Sequence, residues 1–180
     1  MSKKAIIVVD VLNDFVTGEI SSPTAGKIIA PLQNLLKTAR AKSLPIIYTC
    51  DAHRPGVDGE FKVWAGHALA GTAGAEVIPE LAPQPEDHIV PKRRYSGFFQ
   101  TDLDLLLREL KIESLIITGV YLTLCVQHTV GDAYNFGYGI EVPSDCVASF
   151  SDDDFESGLK YLKDAYGAEV VTSNEIINRL

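Results

Sequence analysis

The amino-acid sequence predicts a single α/β domain in which a mostly parallel six-stranded sheet carries helices on both faces. A length of 180 residues fits one domain. Short, uninterrupted apolar runs recur along the chain, as is typical of strands that are buried on both faces. These runs alternate with segments of helical period, which favours parallel strands joined by helices. We therefore expect residues 1–180 to form a doubly wound three-layer sandwich.

Six apolar runs are predicted to be strands. In chain order they are Ala5–Val9, Pro45–Tyr48, His88–Val90, Leu115–Thr118, Ile140–Val142 and Glu169–Val171. The segments between them that are predicted to be helices are Lys27–Ala41, Asp102–Leu110, Cys125–Phe136 and Asp153–Tyr166. In the last segment Phe155, Leu159 and Leu162 fall on one stripe of a helix, which is the pattern of a helix packed on a core.

One long stretch interrupts the alternation of strands and helices. It runs from Asp51 to about Ala75 and is rich in Gly, Ala and His. Loops of this length in a compact domain are usually either functional or disordered. Trp64 and two histidines within the stretch favour a functional loop.

Composition and charge exclude several classes of function. Asp and Glu number 24 against 16 Lys and Arg, giving a net charge of −8, which argues against nucleic-acid binding. No apolar run approaches the roughly 20 residues of a membrane span, and the apolar run that ends at Asp10 is too short for a signal peptide. Three cysteines without a C-x-x-C pair do not form a disulfide framework. We predict a cytoplasmic protein that binds neither nucleic acid nor membrane.

Residues with reactive side chains follow the first four predicted strands. Asp10 follows the first strand, Asp51 and His53 follow the second, and Lys92 follows the third, while Cys125 opens the helix after the fourth. Ligands of open parallel sheets bind outside the carboxyl ends of the strands. We therefore expect these side chains to converge at one edge of the sheet.

Cys125 is the candidate nucleophile. Most free cysteines are small buried apolar residues, but the first turn of a helix lowers a thiol pKa and offers N–H groups to an oxyanion. Cys50 and Cys146 lack this setting and are predicted to be structural. His128 lies one turn further along and points elsewhere, which leaves Asp10 and Lys92 as candidates to take and tune the thiol proton.

Simpler interpretations of Asp10 and Lys92 remain open at this point. Asp10 could cap a turn, and Lys92 could be a solvated charge beside Arg93 and Arg94. Taken singly, each simpler interpretation is the more common one for its residue type.

A divalent metal site is predicted at Asp51, His53 and His67. One carboxylate and two imidazoles suit zinc, with manganese or iron as alternatives, and a set without cysteine suits a catalytic ion more than a structural one. The alternative is that both histidines only hydrogen-bond the Gly-rich loop. Nothing in the sequence predicts an organic cofactor.

Several segments match, in the right order, the motifs of one known family. They are IIVVDVLNDF at residues 6–15, WAGH at 64–67, GTAGAE at 71–76, KRRYSGF at 92–98, TDL at 101–103 and the G-V-x4-C-V-x2-T-x2-D-A-x3-G pattern at 119–137. The sequence resembles the isochorismatase-like cysteine hydrolases, and within them the nicotinamidases and related amidases. The resemblance runs nearly from end to end.

The resemblance implies a catalytic triad of Asp10, Lys92 and Cys125. Cys125 would attack a carboxamide or ureido carbonyl, Asp10 would move the proton, and water would then hydrolyse the thioester. The backbone N–H groups of Tyr121 and Cys125 would form the oxyanion hole, next to a cis peptide bond between Val120 and Tyr121.

The same resemblance assigns the metal and the substrate pocket. The ion at Asp51, His53 and His67 would hold a pyridine nitrogen and water. The pocket would contain the aromatic side chains of Phe15, Trp64 and Tyr95. By analogy with the family, the chain is expected to form a homo-oligomer, a dimer or a tetramer.

Two departures from the nicotinamidase pattern loosen the choice of substrate. The segment after His53 reads RPGVDGEF where nicotinamidases have P-x-x-H-x-S-F, and Leu122 stands where a Thr is usual. The leading hypothesis is a cysteine-dependent amidohydrolase of a small carboxamide, with nicotinamide as the first candidate. The alternatives are an N-carbamoyl or ureido amidohydrolase and a non-catalytic binder of a metal or small ligand.

Overall fold

A seven-stranded sheet forms the centre of the molecule, and each of its strand pairings is parallel. The computed structural model describes residues 3–180. The strands are β1 (Lys4–Val9), β2 (Ile46–Asp51), β3 (His88–Lys92), β4 (Ser114–Val120), β5 (Gly139–Pro143), β6 (Val147–Ala148) and β7 (Glu169–Val171). The strand order is β3-β2-β1-β4-β5-β7, with β6 paired to the end of β4.

Helices cover both faces of this sheet. They are α1 (Asn13–Val16), α2 (Ile29–Ala41), α3 (Leu103–Glu109), α4 (Gln127–Asn135), α5 (Asp152–Tyr166) and α6 (Ser173–Arg179). One face carries α2 and α6, and the other carries α3, α4 and α5. Alternate residues of β1 serve the two cores: Ile6 and Val8 pack under α2, whereas Ile7 and Val9 pack on the opposite side.

The predicted fold class is confirmed, and the six predicted strands are all present. The differences are short elements. Strand β6 has only two residues, too few to show a periodic pattern. Helix α6 was not predicted, although its capping box between Thr172 and Glu175 is visible in the sequence. Cys125 lies in a π-helical turn, Leu122–Val126, that precedes α4, so the predicted helix begins with a wider turn.

The strand order places a crevice at the carboxyl end of β1. From β1 the chain continues to β2 on one side, and β4 pairs with β1 on the other side. Ligands of doubly wound sheets bind at such a reversal of strand order. No helix within residues 3–180 combines the length and the apolar character that crossing a bilayer requires.

Candidate active site

Three strands and the turn after β4 bring a lysine, two carboxylates and a thiol together at the crevice. Lys92 Nζ lies 2.6 Å from Asp10 Oδ2 and 2.7 Å from Asp51 Oδ1. It also donates to Cys125 Sγ at 3.6 Å. The Lys92 side chain is 0 % exposed and each carboxylate 1 %, so water reaches none of these charges. Lys92 therefore contacts both other predicted triad residues, and ligand atoms of Asp10 and Cys125 lie within 4.8 Å of each other.

The backbone at the ends of β1 and β4 is tightly constrained. Asp10 adopts φ 51°, an uncommon conformation for a non-glycine residue. Its N–H donates to Thr49 O at 3.0 Å, and its Oδ1 accepts from the Asp51 N–H at 2.8 Å. Gly119 has φ 110°, and a Cβ there would lie 2.0 Å from Val9 O. Only glycine therefore allows β4 to approach β1 where the cysteine turn begins.

Burial shifts the protonation of the two reacting groups. Desolvation, reinforced by Asp51, raises the pKa of Asp10 to about 7, although Lys92 opposes the shift. Desolvation also raises the pKa of the Cys125 thiol above its usual value, with Lys92 again opposing. The expectation of a lowered thiol pKa was wrong, because complete burial outweighs the lysine and the helix end. The sulfur keeps its proton in the free site, next to a carboxylate whose raised pKa suits it to accept that proton.

The turn after β4 also presents backbone N–H groups. The Val120–Tyr121 peptide bond is cis, as the resemblance implied. Within residues 3–180 the Tyr121 N–H donates to no backbone carbonyl, so it is available to a ligand. The Tyr121 hydroxyl lies 2.7 Å from the carbonyl oxygens of Phe15 and Ile20. It thereby ties the chain after β1 to the cysteine turn.

Four possible metal ligands lie beside the lysine. Asp51, His53, Glu60 and His67 each offer one ligand atom, and these atoms all lie within 4.8 Å of one another. His53 Nε2 is 3.5 Å from Asp51 Oδ2, and Glu60 Oε1 is 3.8 Å from Nε2 of both histidines. The three predicted ligands are thus brought together. Glu60 was missed, since the family motif has Ser in this segment and a lone Glu in a loop carries no signal.

The hydrogen bonds of the two imidazoles fix which nitrogen can bind a cation. His53 Nδ1 lies 3.0 Å from a carboxylate oxygen of Asp58, and His67 Nδ1 lies 2.7 Å from Ala65 O. Both partners are acceptors, so each Nδ1 carries the proton and each neutral ring presents the lone pair of Nε2. Asp51 Oδ2 and His53 Nε2 are buried without hydrogen-bond partners. These residues therefore fit a divalent cation.

A small aromatic cavity joins the thiol to the four-ligand cluster. Its free volume in this conformation is only about 10 Å³, so the lining side chains must move apart before a small molecule can enter. Its lining includes Cys125, three of the cluster residues and the predicted pocket residues Phe15, Trp64 and Tyr95. The lining residues that were not predicted for any part of the site are Ile20, Glu60, Leu124 and Phe150, and Tyr121 was predicted only for its backbone N–H.

Aromatic contacts hold the walls of this cavity. Trp64 Nε1–H donates to the Tyr95 hydroxyl at 2.9 Å. Phe150 stacks on Tyr121 with ring centroids 3.9 Å apart, and on Trp64 at 5.9 Å. Phe150 follows β6, far along the chain from the motifs, which is why sequence reasoning did not find it.

The other two cysteines and His128 lie outside the cluster of reacting groups. Cys50 and Cys146 are buried and unpaired, and burial raises the pKa of Cys50 to about 12. His128 packs against Tyr95 with ring centroids 5.3 Å apart. Their places agree with the prediction that none of them assists Cys125.

The fold is a doubly wound α/β sheet, and a thiol, a lysine and two carboxylates lie together where its strand order reverses. Residues 4–175 match the family profile described as the isochorismatase domain. The chain belongs to the isochorismatase family.

Two curated relatives from bacteria are similar over nearly the whole chain. The isochorismatase family protein YaaI of Bacillus subtilis is 32 % identical, covering 99 % of this chain and 100 % of the relative. The ureidoacrylate amidohydrolase RutB of Rhizobium rhizogenes is 30 % identical, covering 97 % of this chain and 82 % of the relative.

Solved structures share the fold at similar identity. The N-carbamoylsarcosine amidase of Thermoplasma acidophilum is 37 % identical with a TM-score of 0.90, over 96 % of this chain and 97 % of that one. Nicotinamidase PncA of Bacillus subtilis is 32 % identical with a TM-score of 0.89, over 94 % and 99 %. The pyrazinamidase of Pyrococcus horikoshii, in complex with zinc, is 29 % identical with a TM-score of 0.87, over 94 % and 99 %. The chain is thus a hydrolase of non-peptide C–N bonds.

Proposed function

We propose that this protein is a metal-dependent cysteine amidohydrolase that releases ammonia from a small aromatic carboxamide, with nicotinamide as its first candidate substrate. One observation carries the proposal. The Cys125 thiol and three residues of the four-ligand cluster, Asp51, Glu60 and His67, line the same aromatic cavity. A flat ring that reaches the cluster with a ring nitrogen would present its carboxamide to the sulfur.

The chain's own residues supply the bond-making steps. Cys125 Sγ attacks the carboxamide carbon as Asp10 accepts the thiol proton, and the N–H groups of Tyr121 and Cys125 receive the negative oxygen. Asp10 then gives this proton to the departing nitrogen, so that the C–N bond breaks and ammonia and a thioester form. Water attacks the thioester, and the carboxylic acid leaves as Cys125 recovers its proton. Lys92 balances the charge of the carboxylates throughout.

A divalent cation would be held by Asp51, His53, Glu60 and His67. Zinc is the first ion to test, with manganese and iron as alternatives, because the donor set is two imidazoles and two carboxylates without cysteine. When bound, the ion supplies a Lewis-acid site for a ring nitrogen. The zinc complex of the Pyrococcus horikoshii pyrazinamidase supports this choice. No organic cofactor is proposed.

The charge of the cavity supports a neutral substrate. Its lining within residues 3–180 includes the carboxylates of Asp51 and Glu60 but no Arg or Lys. N-carbamoyl amino acids and ureido acids carry a carboxylate, which a lining of this sign repels unless a bound cation takes it. A neutral ring carboxamide meets no such repulsion.

The second candidate function is hydrolysis of an N-carbamoyl or ureido compound. It is favoured by the 37 % identity to an N-carbamoylsarcosine amidase and by the ureidoacrylate amidohydrolase among the relatives. The triad chemistry would be the same, since both substrate classes carry a C–N bond next to a carbonyl.

The test is ammonia release from nicotinamide, pyrazinamide, N-carbamoylsarcosine and ureidoacrylate, measured with protein purified without a His-tag and analysed for metal. We expect a stoichiometric divalent ion, turnover of the pyridine and pyrazine carboxamides, and loss of that turnover on chelation. Substoichiometric metal with chelator-resistant turnover of a carbamoyl compound would favour the second candidate. No turnover of any of the four, with an unreactive Cys125, would favour a non-catalytic binder.

We further propose that the protein is a cytoplasmic homo-oligomer, a dimer or a tetramer. Free cysteines at positions 50, 125 and 146 suit a reducing compartment. At the end of α4, Tyr134 and Phe136 are 53 % and 45 % exposed, which suits a contact between copies. Sedimentation of the protein as a monomer near 19.6 kDa would refute the oligomer.

A further inference from the structure

We propose that Asp58, held in place by Arg93, is a positioning residue that fixes His53 for metal binding. This inference rests on the proposed metal-dependent function. Asp58 is not one of the four possible ligands, and it lies in the segment where the sequence departs from the nicotinamidase motif.

Asp58 is the partner of His53 on the side of the ring away from the cluster. Its Oδ2 lies 3.0 Å from His53 Nδ1, and both side chains are 0 % exposed. The same oxygen accepts the backbone N–H of Arg54 at 2.9 Å. The carboxylate therefore holds the ring and also closes the loop from residue 53 to residue 58.

Arg93 holds Asp58 from the solvent side. Its Nε donates to Asp58 Oδ1 at 2.9 Å and to Oδ2 at 3.1 Å, and its Nη2 forms a close ion pair with Oδ1. The Arg93 side chain is 38 % exposed, whereas that of Asp58 is fully buried. The guanidinium thus stabilises a buried carboxylate that would otherwise be repelled by the two carboxylates on the far side of His53.

An anion at this place has a chemical consequence for the ligand. A carboxylate that accepts the Nδ1 proton fixes the tautomer, prevents rotation of the ring and makes Nε2 a stronger donor to a cation. Arg93 also follows Lys92 directly in the chain, at the end of β3. Two consecutive residues at the end of this strand therefore serve the two parts of the site: Lys92 contacts the thiol, and Arg93 holds the loop that carries His53.

The chain contains a matched control for this arrangement. Asp87 is also a buried carboxylate, 4 % exposed, that pairs with an arginine, Arg40 Nη2, at 2.6 Å and accepts a backbone N–H from Gln84 at 2.8 Å. It contacts no histidine in the hydrogen bonds of residues 3–180. Loss of its charge should lower stability in a similar way, without affecting a metal ligand.

The experiment measures Zn²⁺ affinity by competition with a chromogenic chelator, for the wild-type protein, Asp58→Asn, Asp58→Ala and Asp87→Asn. Asp58→Asn keeps an acceptor oxygen near Nδ1 but loses the charge, and we expect about tenfold weaker binding. Asp58→Ala removes the acceptor, and we expect a loss approaching 100-fold. Asp87→Asn should bind Zn²⁺ as the wild type does. Circular dichroism at the assay temperature selects folded variants, and Asp58→Asn decides the question if Asp58→Ala does not fold.

The outcomes separate this inference from the proposed function. Wild-type affinity in Asp58→Asn, or an equal loss in Asp87→Asn, overturns the positioning role while the metal-dependent function stands. A wild-type protein that binds no Zn²⁺, Mn²⁺ or Fe²⁺ overturns the metal-dependent function, and the positioning role with it. As a second readout, Co²⁺ absorption spectra should differ between Asp58→Asn and the wild type and agree between Asp87→Asn and the wild type.

Discussion

Two clusters of oppositely charged side chains lie on the same sheet, one fully buried and the other partly exposed to water. The site cluster consists of Asp10, Asp51 and Lys92, whose side chains are at most 1 % exposed. The peripheral cluster consists of Lys4, Glu141 and Arg179, in which Glu141 on β5 is 7 % exposed but its cationic partners are 25 % and 44 % exposed. Both clusters contain cations and carboxylates in contact, yet only the second is open to water.

The difference shows what each cluster is for. Removing ions from water costs several kcal/mol per ion, and their mutual attraction often fails to repay this cost. A lysine buried between two carboxylates is therefore poor evidence for stabilisation and good evidence for chemistry. The peripheral cluster is screened by solvent and contributes little beyond joining β1, β5 and α6. Five predictions test this contrast, in order of decreasing effect.

Cys125→Ala tests whether the site cluster serves the thiol. Removing the nucleophile should abolish ammonia release, a loss of several orders of magnitude, because the residues of such a unit act together. The fold should survive, as judged by circular dichroism. Cys50→Ala and Cys146→Ala are the controls and should cost little activity. Equal losses in all three variants, with folding intact, would remove Cys125 from its assigned role.

Lys92→Met tests how much the two buried carboxylates depend on the cation between them. It leaves Asp10 and Asp51 without their cation, and we expect the free energy of unfolding to fall by about 3–5 kcal/mol. Urea denaturation of metal-free protein measures it. The companion double variant Asp10→Asn/Lys92→Met should recover part of the loss, since it removes one of the two unpaired charges. An unchanged urea midpoint in Lys92→Met would show that the buried lysine contributes no more to stability than the exposed cations of the peripheral cluster.

His53→Ala tests whether the four-ligand cluster serves substrate binding rather than cleavage of the C–N bond. We expect KM for nicotinamide to rise about tenfold or more as the cation site is lost. Alkylation of Cys125 by iodoacetamide should continue. Metal affinity of the wild type should fall below about pH 6, where imidazoles with a reference pKa near 6.5 take up protons. A variant with unchanged KM and lost alkylation would instead place His53 in the chemistry of the thiol.

The pH profile tests the raised pKa of Asp10. Only the ionised carboxylate accepts the thiol proton, and burial with the nearby Asp51 raises its pKa to about 7. Below that pH, kcat/KM for a neutral amide should fall about tenfold per pH unit, and above it the rate should level off. Stopped assays with nicotinamide, at pH values where circular dichroism shows intact protein, measure the profile. A rate that is independent of pH through neutrality would show that another group accepts the proton.

Glu141→Gln tests the peripheral cluster and should have the smallest effect. It weakens the contacts with Lys4 and Arg179, and because both cations are screened by water we expect a loss of at most about 1 kcal/mol in the free energy of unfolding. Turnover should not change, since the cluster is remote from the cavity lining. A fall in kcat would show that the two clusters are coupled through β4 and β5.

The sequence was sufficient for the sheet and for the placement of the triad, for one physical reason. A strand buried on both faces must be continuously apolar, so β1, β2 and β4 are visible as runs, and the reactive residues stand where the runs end. The possible metal ligands Asp51, His53 and His67 were visible because imidazoles are rare in this chain.

The remaining features depend on contacts between distant parts of the chain. Glu60 and Phe150 reach the site from a loop and from the segment after β6, and neither belongs to a periodic pattern. Asp58 resembles any loop carboxylate until its contacts with His53 and Arg93 are known. The thiol pKa was mispredicted because a helix end is a local feature, whereas complete burial is a property of the whole fold. Local sequence signals predict helices and strands, whereas the pKa values of the site depend on how the whole chain packs.

The origin of the two halves of the site in the chain has a consequence for how the family can diversify. The triad draws on the ends of β1, β3 and β4, so altering its geometry means altering the sheet. The four-ligand cluster comes from one contiguous stretch, from Asp51 to His67. Exchanging residues 53–67 alone could add, remove or replace three of the four possible ligands while leaving Asp51, which also pairs with Lys92, in place. Loop grafting between relatives should therefore change the cation site while the contacts of Lys92 with Asp10 and Cys125 stay as they are.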